Sequence, residues 1–157
     1  MPEGDEELQQ LYQEVLLDYY NSGAHKGKLE MADFRSHGIN PVCGDEIELA
    51  MSSESDGRIA RIRYEGHGCV ISQASSAMMA EALEGRPRAR ARELVQIFKE
   101  TMLSQAPIEN LPEELEALRA LAGVRRFPLR VKCATLAWNT LLQGLAAQSA
   151  ATPAQET

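Results

Sequence analysis

Two short stretches of alternating hydrophobicity constrain this chain more than anything else in it. Ile47, Leu49 and Met51 are interleaved with Glu46, Glu48 and Ala50, and Ala60, Ile62 and Tyr64 with Arg61 and Arg63. A period of two marks a strand with one buried face. The turn-forming run from Ser52 to Gly57 lies between them, so the pair predicts an antiparallel hairpin. Such a hairpin returns the end of its second strand to the beginning of its first. Cys43 and Asp45 enter it, in Asn40-Pro41-Val42-Cys43-Gly44-Asp45, and Cys69 leaves it, in Gly66-His67-Gly68-Cys69. Residues distant in sequence therefore become neighbours at one end of a small sheet.

One more cysteine completes the set, Cys133 in Arg130-Val131-Lys132-Cys133. Three thiols and one aspartate make four ligands. An odd number of widely spaced cysteines is a poor disulfide framework, and a reducing compartment would leave the thiols free for metal or sulfur chemistry. Thiolates with one carboxylate suit tetrahedral zinc, and three thiolates with one weak oxygen donor also suit a labile iron-sulfur cluster. The residues leave both open. The bland alternative is three buried small hydrophobes, against which stand the Gly, Pro and Lys neighbours of these cysteines. His67 is a rival fourth donor, although a turn at the strand end would point it elsewhere; His25 and His37 read as surface residues. Lys132 and Arg130 would lower the Cys133 thiol pKa, meet an anionic sulfur species, or merely form a solvated basic face.

The remainder reads mostly as helix. Leu8, Leu11, Tyr12, Val15, Leu16 and Tyr19 recur at helical spacing and predict a helix from about Asp5 to Tyr20, stopped by Asn21-Ser22-Gly23. A strand over Lys28 to Ser36 would lead into the Cys43 loop. Small and unbranched residues from Cys69 to Leu83 predict a closely packed helix with Cys69 at its N-terminus, where the dipole favours thiolate. Leu94, Val95, Phe98 and Met102 mark another helix, whose first turns hold Arg86, Arg88, Arg90 and Arg92 as partner surface or solvated charge. After a loop, a short helix should follow with Pro112 in its first turn and Gly123 beyond its end, and a last helix should follow Cys133. The expected architecture is α+β: a small antiparallel sheet of about three strands covered mainly on one face by about five helices. Residues 1–147 would form one domain and residues 148–157 a frayed tail. A net charge of −7 argues against a nucleic-acid partner. No apolar run of roughly 18 residues indicates a membrane span, and the acidic N-terminus is unlike a leader, so the reading is a cytoplasmic protein.

Three motifs in order, Asn40-Pro41-Val42-Cys43-Gly44-Asp45, Gly66-His67-Gly68-Cys69-Val70-Ile71-Ser72 and Lys132-Cys133-Ala134-Thr135-Leu136-Ala137-Trp138, resemble the SufU/IscU/NifU N-terminal family of iron-sulfur cluster assembly. Lys132, where IscU-type scaffolds carry histidine, leans the resemblance toward the SufU branch. Tyr19 to Gly27 departs from the family's usual Pro-Arg-containing pattern there. The resemblance implies metal ligands at Cys43, Asp45, Cys69 and Cys133, and a zinc-dependent relay that takes persulfide sulfur from a SufS-type cysteine desulfurase onto Cys43. Downstream SUF assembly proteins would be further partners. The alternative it implies is a scaffold that builds and passes on a transient [2Fe-2S] cluster.

Overall fold

The predicted hairpin forms the middle of the sheet: β2 (Asp45–Ser53) pairs antiparallel with β3 (Ile59–His67), and β1 (Phe34–Asn40) lies against the other edge of β2. The computed structural model describes the backbone of residues 3–156 and the side chains of residues 9–148. Four α-helices surround the sheet, α1 (Glu3–Asn21), α2 (Val70–Leu83), α3 (Arg88–Met102) and α4 (Pro128–Glu156), with a 3-10 segment at Glu113–Arg126 as the fifth helical element. A single 3-10 turn spans Ile108–Asn110. The α+β expectation therefore holds. Apart from Gln148, the tail expected over 148–157 lies outside the described side chains.

Ile47, Leu49, Met51, Ile62 and Tyr64 are all buried on the inner face of the sheet, which packs against α2 and α4. Phe98 of α3 stacks on Trp138 of α4, with ring centroids 4.3 Å apart, and extends the core beyond the sheet. Small residues let α2 run through the middle: Ala74, Ser75, Ser76, Ala77 and Ala80 are buried, so neighbouring helices approach closely. Ser75 Oγ donates to the Ala134 carbonyl at 2.6 Å and accepts from Trp138 Nε1 at 2.9 Å, satisfying polar groups that could not be left unpaired in an apolar core.

Several boundaries differ from the expectation, each for a physical reason. The first strand begins at Phe34 rather than Lys28. Its inward positions are Phe34, Ser36, Gly38 and Asn40, and they carry little apolar signal because α4 lies against them; a Cβ on Gly38 would strike Thr140 Oγ1. A register shift between Ser52 and Ser53 pairs Ser53 with Ile59, so Ile59 is fully buried and Ala60, expected inside, is only half-buried. Pro112 precedes the 3-10 segment, which kinks at Leu115 and continues past Gly123 to Arg126. The last helix starts at Pro128, where a missing N–H costs nothing, so Cys133 lies within it rather than before it.

The arginines at the start of α3 are neither free charge nor a ready-made partner surface. Arg88 reaches Asp33 at 2.7 Å, Arg90 forms a fork with both oxygens of Glu114 at 2.9 and 3.1 Å, and Arg92 donates to the Leu145 carbonyl. They tie α3 to three other parts of the chain. The unusual segment after α1 covers the free edge of β3: Tyr64 N–H donates to the His25 carbonyl and Gly27 N–H to the Tyr64 carbonyl, each at 3.0 Å. His25, expected on the surface, is half-buried there with Nδ1 3.4 Å from Glu84.

Gly66 lies in β3 with φ +145°, and a Cβ there would drive into the Glu46 carbonyl of the paired strand. Gly66→Ala should destabilise by roughly 3 kcal/mol or more, combining backbone strain with an overpacked contact that cannot swing away. Gly123 has open space around it. Gly123→Ala should instead stabilise by about 0.4–1 kcal/mol by restricting the unfolded chain. Denaturant unfolding of the two variants checks both signs.

Candidate metal centre

The centre is built where β1 turns into β2. Asn40 and Asp45 face each other across the strand pair, and residues 41–44 form the connecting turn, closed by Gly44 at φ +72°. Cys43 is the third residue of that turn and is half-buried. Asp45, the first residue of β2, points inward and is fully buried. Cys69 caps α2 with extended backbone angles, and its N–H donates to Asp45 Oδ1 at 2.9 Å. A Cβ on Gly68 would collide with that same oxygen, so glycine makes room for the carboxylate. Cys133, in the second turn of α4, is fully buried.

The ligand atoms of Cys43, Asp45 and Cys133 lie within 4.8 Å of one another. Tetrahedral zinc, with bonds of roughly 2.0–2.3 Å, would separate its donors by roughly 3.5 Å. The trio therefore needs only a small inward adjustment, and its two sulfurs and one oxygen suit that ion. Cys69 stands beside the trio rather than inside it, close enough to help push the Cys133 thiol up. Its backbone is already anchored to Asp45. All four residues expected as ligands are thus brought to one place, three in mutual reach and one alongside.

The charges are tuned to one another. Burial pushes the Asp45 carboxyl up, yet the Cys69 N–H and the Cys133, Ser72 and Asn40 side chains together outweigh burial and hold it below the usual aspartate range. Burial first, then hydrogen bonding with Asp45, Cys43 and Cys69, pushes the Cys133 thiol far above its ordinary range. A cation among these groups would relieve the crowding of negative charge, because a coordinating thiol is deprotonated outright. Arg130 faces the cluster, its guanidinium held protonated by the fields of Cys69 and Cys133 and by a hydrogen bond with Cys133. Lys132 is exposed on α4.

Asn40 carries a role that the sequence reading missed. Its Nδ2 donates to Asp45 Oδ2 at 3.3 Å and to Cys133 Sγ at 3.6 Å, and the residue is only 5% exposed. Its place in the motif was visible, but its inward direction depends on the strand that periodicity misplaced. His67 is held away from the thiols: its Nε2 lies 3.3 Å from Glu46, which also meets His37 at 2.6 Å on the outer sheet face. Beside Cys69 opens a groove of about 710 Å³ lined by Tyr12, Leu16, Ile71, Val124, Phe127 and Arg130, among others.

The fold thus has three strands and five helical elements, with cysteines and one aspartate gathered at the end of the sheet in a cluster that could hold a metal ion. Residues 11–134 match the NifU-like N terminal domain family. The chain is 37% identical over 142 residues to the zinc-dependent sulfurtransferase SufU of Bacillus subtilis, covering 88% of this chain and 92% of that protein. It is 39% identical over 137 residues to the iron-sulfur cluster assembly scaffold protein IscU of Thermotoga maritima, covering 86% and 92%. Among solved structures, one named for an iron-sulfur cluster assembly scaffold protein of the SUF system from Fervidobacterium islandicum superposes with a TM-score of 0.76 at 33% identity, covering 87% and 98%. The chain belongs to the NifU-like N-terminal domain family, the SufU/IscU proteins of iron-sulfur cluster assembly.

Ser75 joins the helix that Cys69 caps to the helix that carries Cys133. Ser75→Ala would orphan the buried Trp138 N–H and should cost about 1–3 kcal/mol. Thermal unfolding measures it.

Proposed function

We propose that this protein is a zinc-dependent acceptor and relay of persulfide sulfur, loaded by a SufS-type cysteine desulfurase in the cytoplasm and serving downstream SUF assembly proteins. The observation that carries the reading is the asymmetry of the cluster. Cys43 rides on a short turn, half-buried, with exposed Val42 beside it, whereas Cys133 is sealed inside α4 and Cys69 is fixed at a helix cap. Cys69 is half-buried like Cys43 and lines the neighbouring groove, so what sets Cys43 apart is its support: a turn can carry it to a partner while helices hold the other two thiols. The likeness to a zinc-dependent sulfurtransferase supports the metal assignment.

Zinc held by Cys43, Asp45, Cys69 and Cys133 would keep the thiols as thiolates at neutral pH. Metal-bound Cys43 would be a poor nucleophile, so a competing ligand from the docked desulfurase would free it while Asp45, Cys69 and Cys133 hold the zinc. The freed thiolate attacks the outer sulfur of the desulfurase persulfide; the S–S bond breaks, its electron pair leaves with the desulfurase cysteine, and Cys43 becomes the persulfide. No net oxidation occurs. Asp45, fixed as a carboxylate by the Cys69 N–H, keeps its charge beside the sulfurs, and Arg130 faces them as a counter-charge for an anionic persulfide. Exposed Phe127 and Leu129 flank the start of α4 and would pack against the desulfurase. A second reading, a scaffold for a transient [2Fe-2S] cluster, is favoured by the equal likeness to IscU and by the weak oxygen donor among three sulfurs.

Protein purified without oxygen or chelator should contain about one zinc per chain, as a four-donor site requires, and no acid-labile sulfide. It should accept labelled sulfur from the desulfurase, and Cys43→Ser should lower that acceptance to background. Iron and sulfide in equal amounts would move the assignment to the scaffold, and undiminished labelling of Cys43→Ser would remove Cys43 from the acceptor role.

A further inference from the structure

Asn40 meets two candidate ligands through one nitrogen, Asp45 Oδ2 at 3.3 Å and Cys133 Sγ at 3.6 Å. An amide nitrogen carries two hydrogens, so both bonds can be made together. The residue is 5% exposed, at the base of the turn whose third residue is Cys43. Its two bonds therefore couple β1 to β2 and to α4 beneath the turn, and neither of them runs to Cys43.

We infer that Asn40 is a positioning residue: it holds Asp45 and Cys133 together independently of Cys43, so that Asp45, Cys69 and Cys133 retain a metal when Cys43 is withdrawn for sulfur chemistry. The inference rests on the zinc reading above. Asp45 Oδ1 is already committed to the Cys69 N–H, so the Asn40 bond fixes the remaining oxygen. Asp45 and the Cys133 sulfur are both negative when a metal is bound, and side by side in a buried site they repel unless something cationic or hydrogen-bonding stands between them. Asn40 supplies two donors at that place. With Cys43 present, four donors share the work and the loss of Asn40 is partly masked. With Cys43 absent, two of the three remaining donors depend on it.

A double-mutant cycle tests this, with zinc affinity read by competition against a chromophoric chelator in wild type, Asn40→Leu, Cys43→Ser and the double variant. Leucine keeps the volume and removes the donors. Asn40→Leu alone should weaken zinc binding about 10-fold, the lower end for an outer-shell partner, and about 100-fold in the Cys43→Ser background. The cobalt-substituted Asn40→Leu protein should also change its thiolate-to-metal absorption, which a purely structural role would leave alone. Should Asn40→Leu not fold, Asn40→Ser, whose hydroxyl is too short to span both partners, takes its place in the cycle. Equal weakening in both backgrounds, or none in either, overturns the inference. A wild type that takes up no zinc overturns instead the metal reading beneath it.

Discussion

The hydrogen bond from the Cys69 backbone to the Asp45 carboxylate, 2.9 Å long and partly buried, is the contact on which the rest of the centre depends. It joins the first residue of β2 to the cap of α2, and so converts a hairpin and a helix into one rigid corner. It also resolves an electrostatic conflict. Burial beside the thiols pushes this carboxyl up, and hydrogen bonding, from the Cys69 N–H first, holds it below the usual aspartate range instead. The helix end gains as well, since Asp45 accepts the N–H of a cap residue that has no side-chain cap bond of its own.

Around that corner the fold reads as support. The small residues of α2 let α1 and α4 close on it, and Ser75 ties α2 to the helix that brings Cys133 in from far along the chain. The arginines of α3 fasten the far side of the molecule to β2, the 3-10 segment and α4. Charge that looked available in the sequence is committed to holding the structure together. Arg130, at the start of α4, remains to face the thiols.

The hairpin and the gathering of Cys43, Asp45 and Cys69 were legible because alternation fixes strand faces and antiparallel pairing fixes which ends meet. Cys133 was legible only as the remaining thiol; its arrival depends on α4 packing against β1, a long-range contact that no local pattern encodes. The first strand was misplaced for the same reason. Its inward residues are small or polar to admit α4, which erases the apolar alternation that identifies strands. Asn40 was hidden by that error. The arginine ties were hidden differently, because a guanidinium on a long stem finds its acceptor only once distant segments are in place.

Three of the four candidate ligands stand on or at the end of regular elements, and one stands on a four-residue turn. Such turns move on nanosecond-to-microsecond times, whereas separating a packed helix from its neighbours draws on much of the global stability. An electrophile reaching Cys43 therefore samples brief excursions of the turn, at a pace set by local motion. One reaching Cys133 must wait for α4 to leave the sheet. Two sulfurs less than 5 Å apart thus keep different clocks.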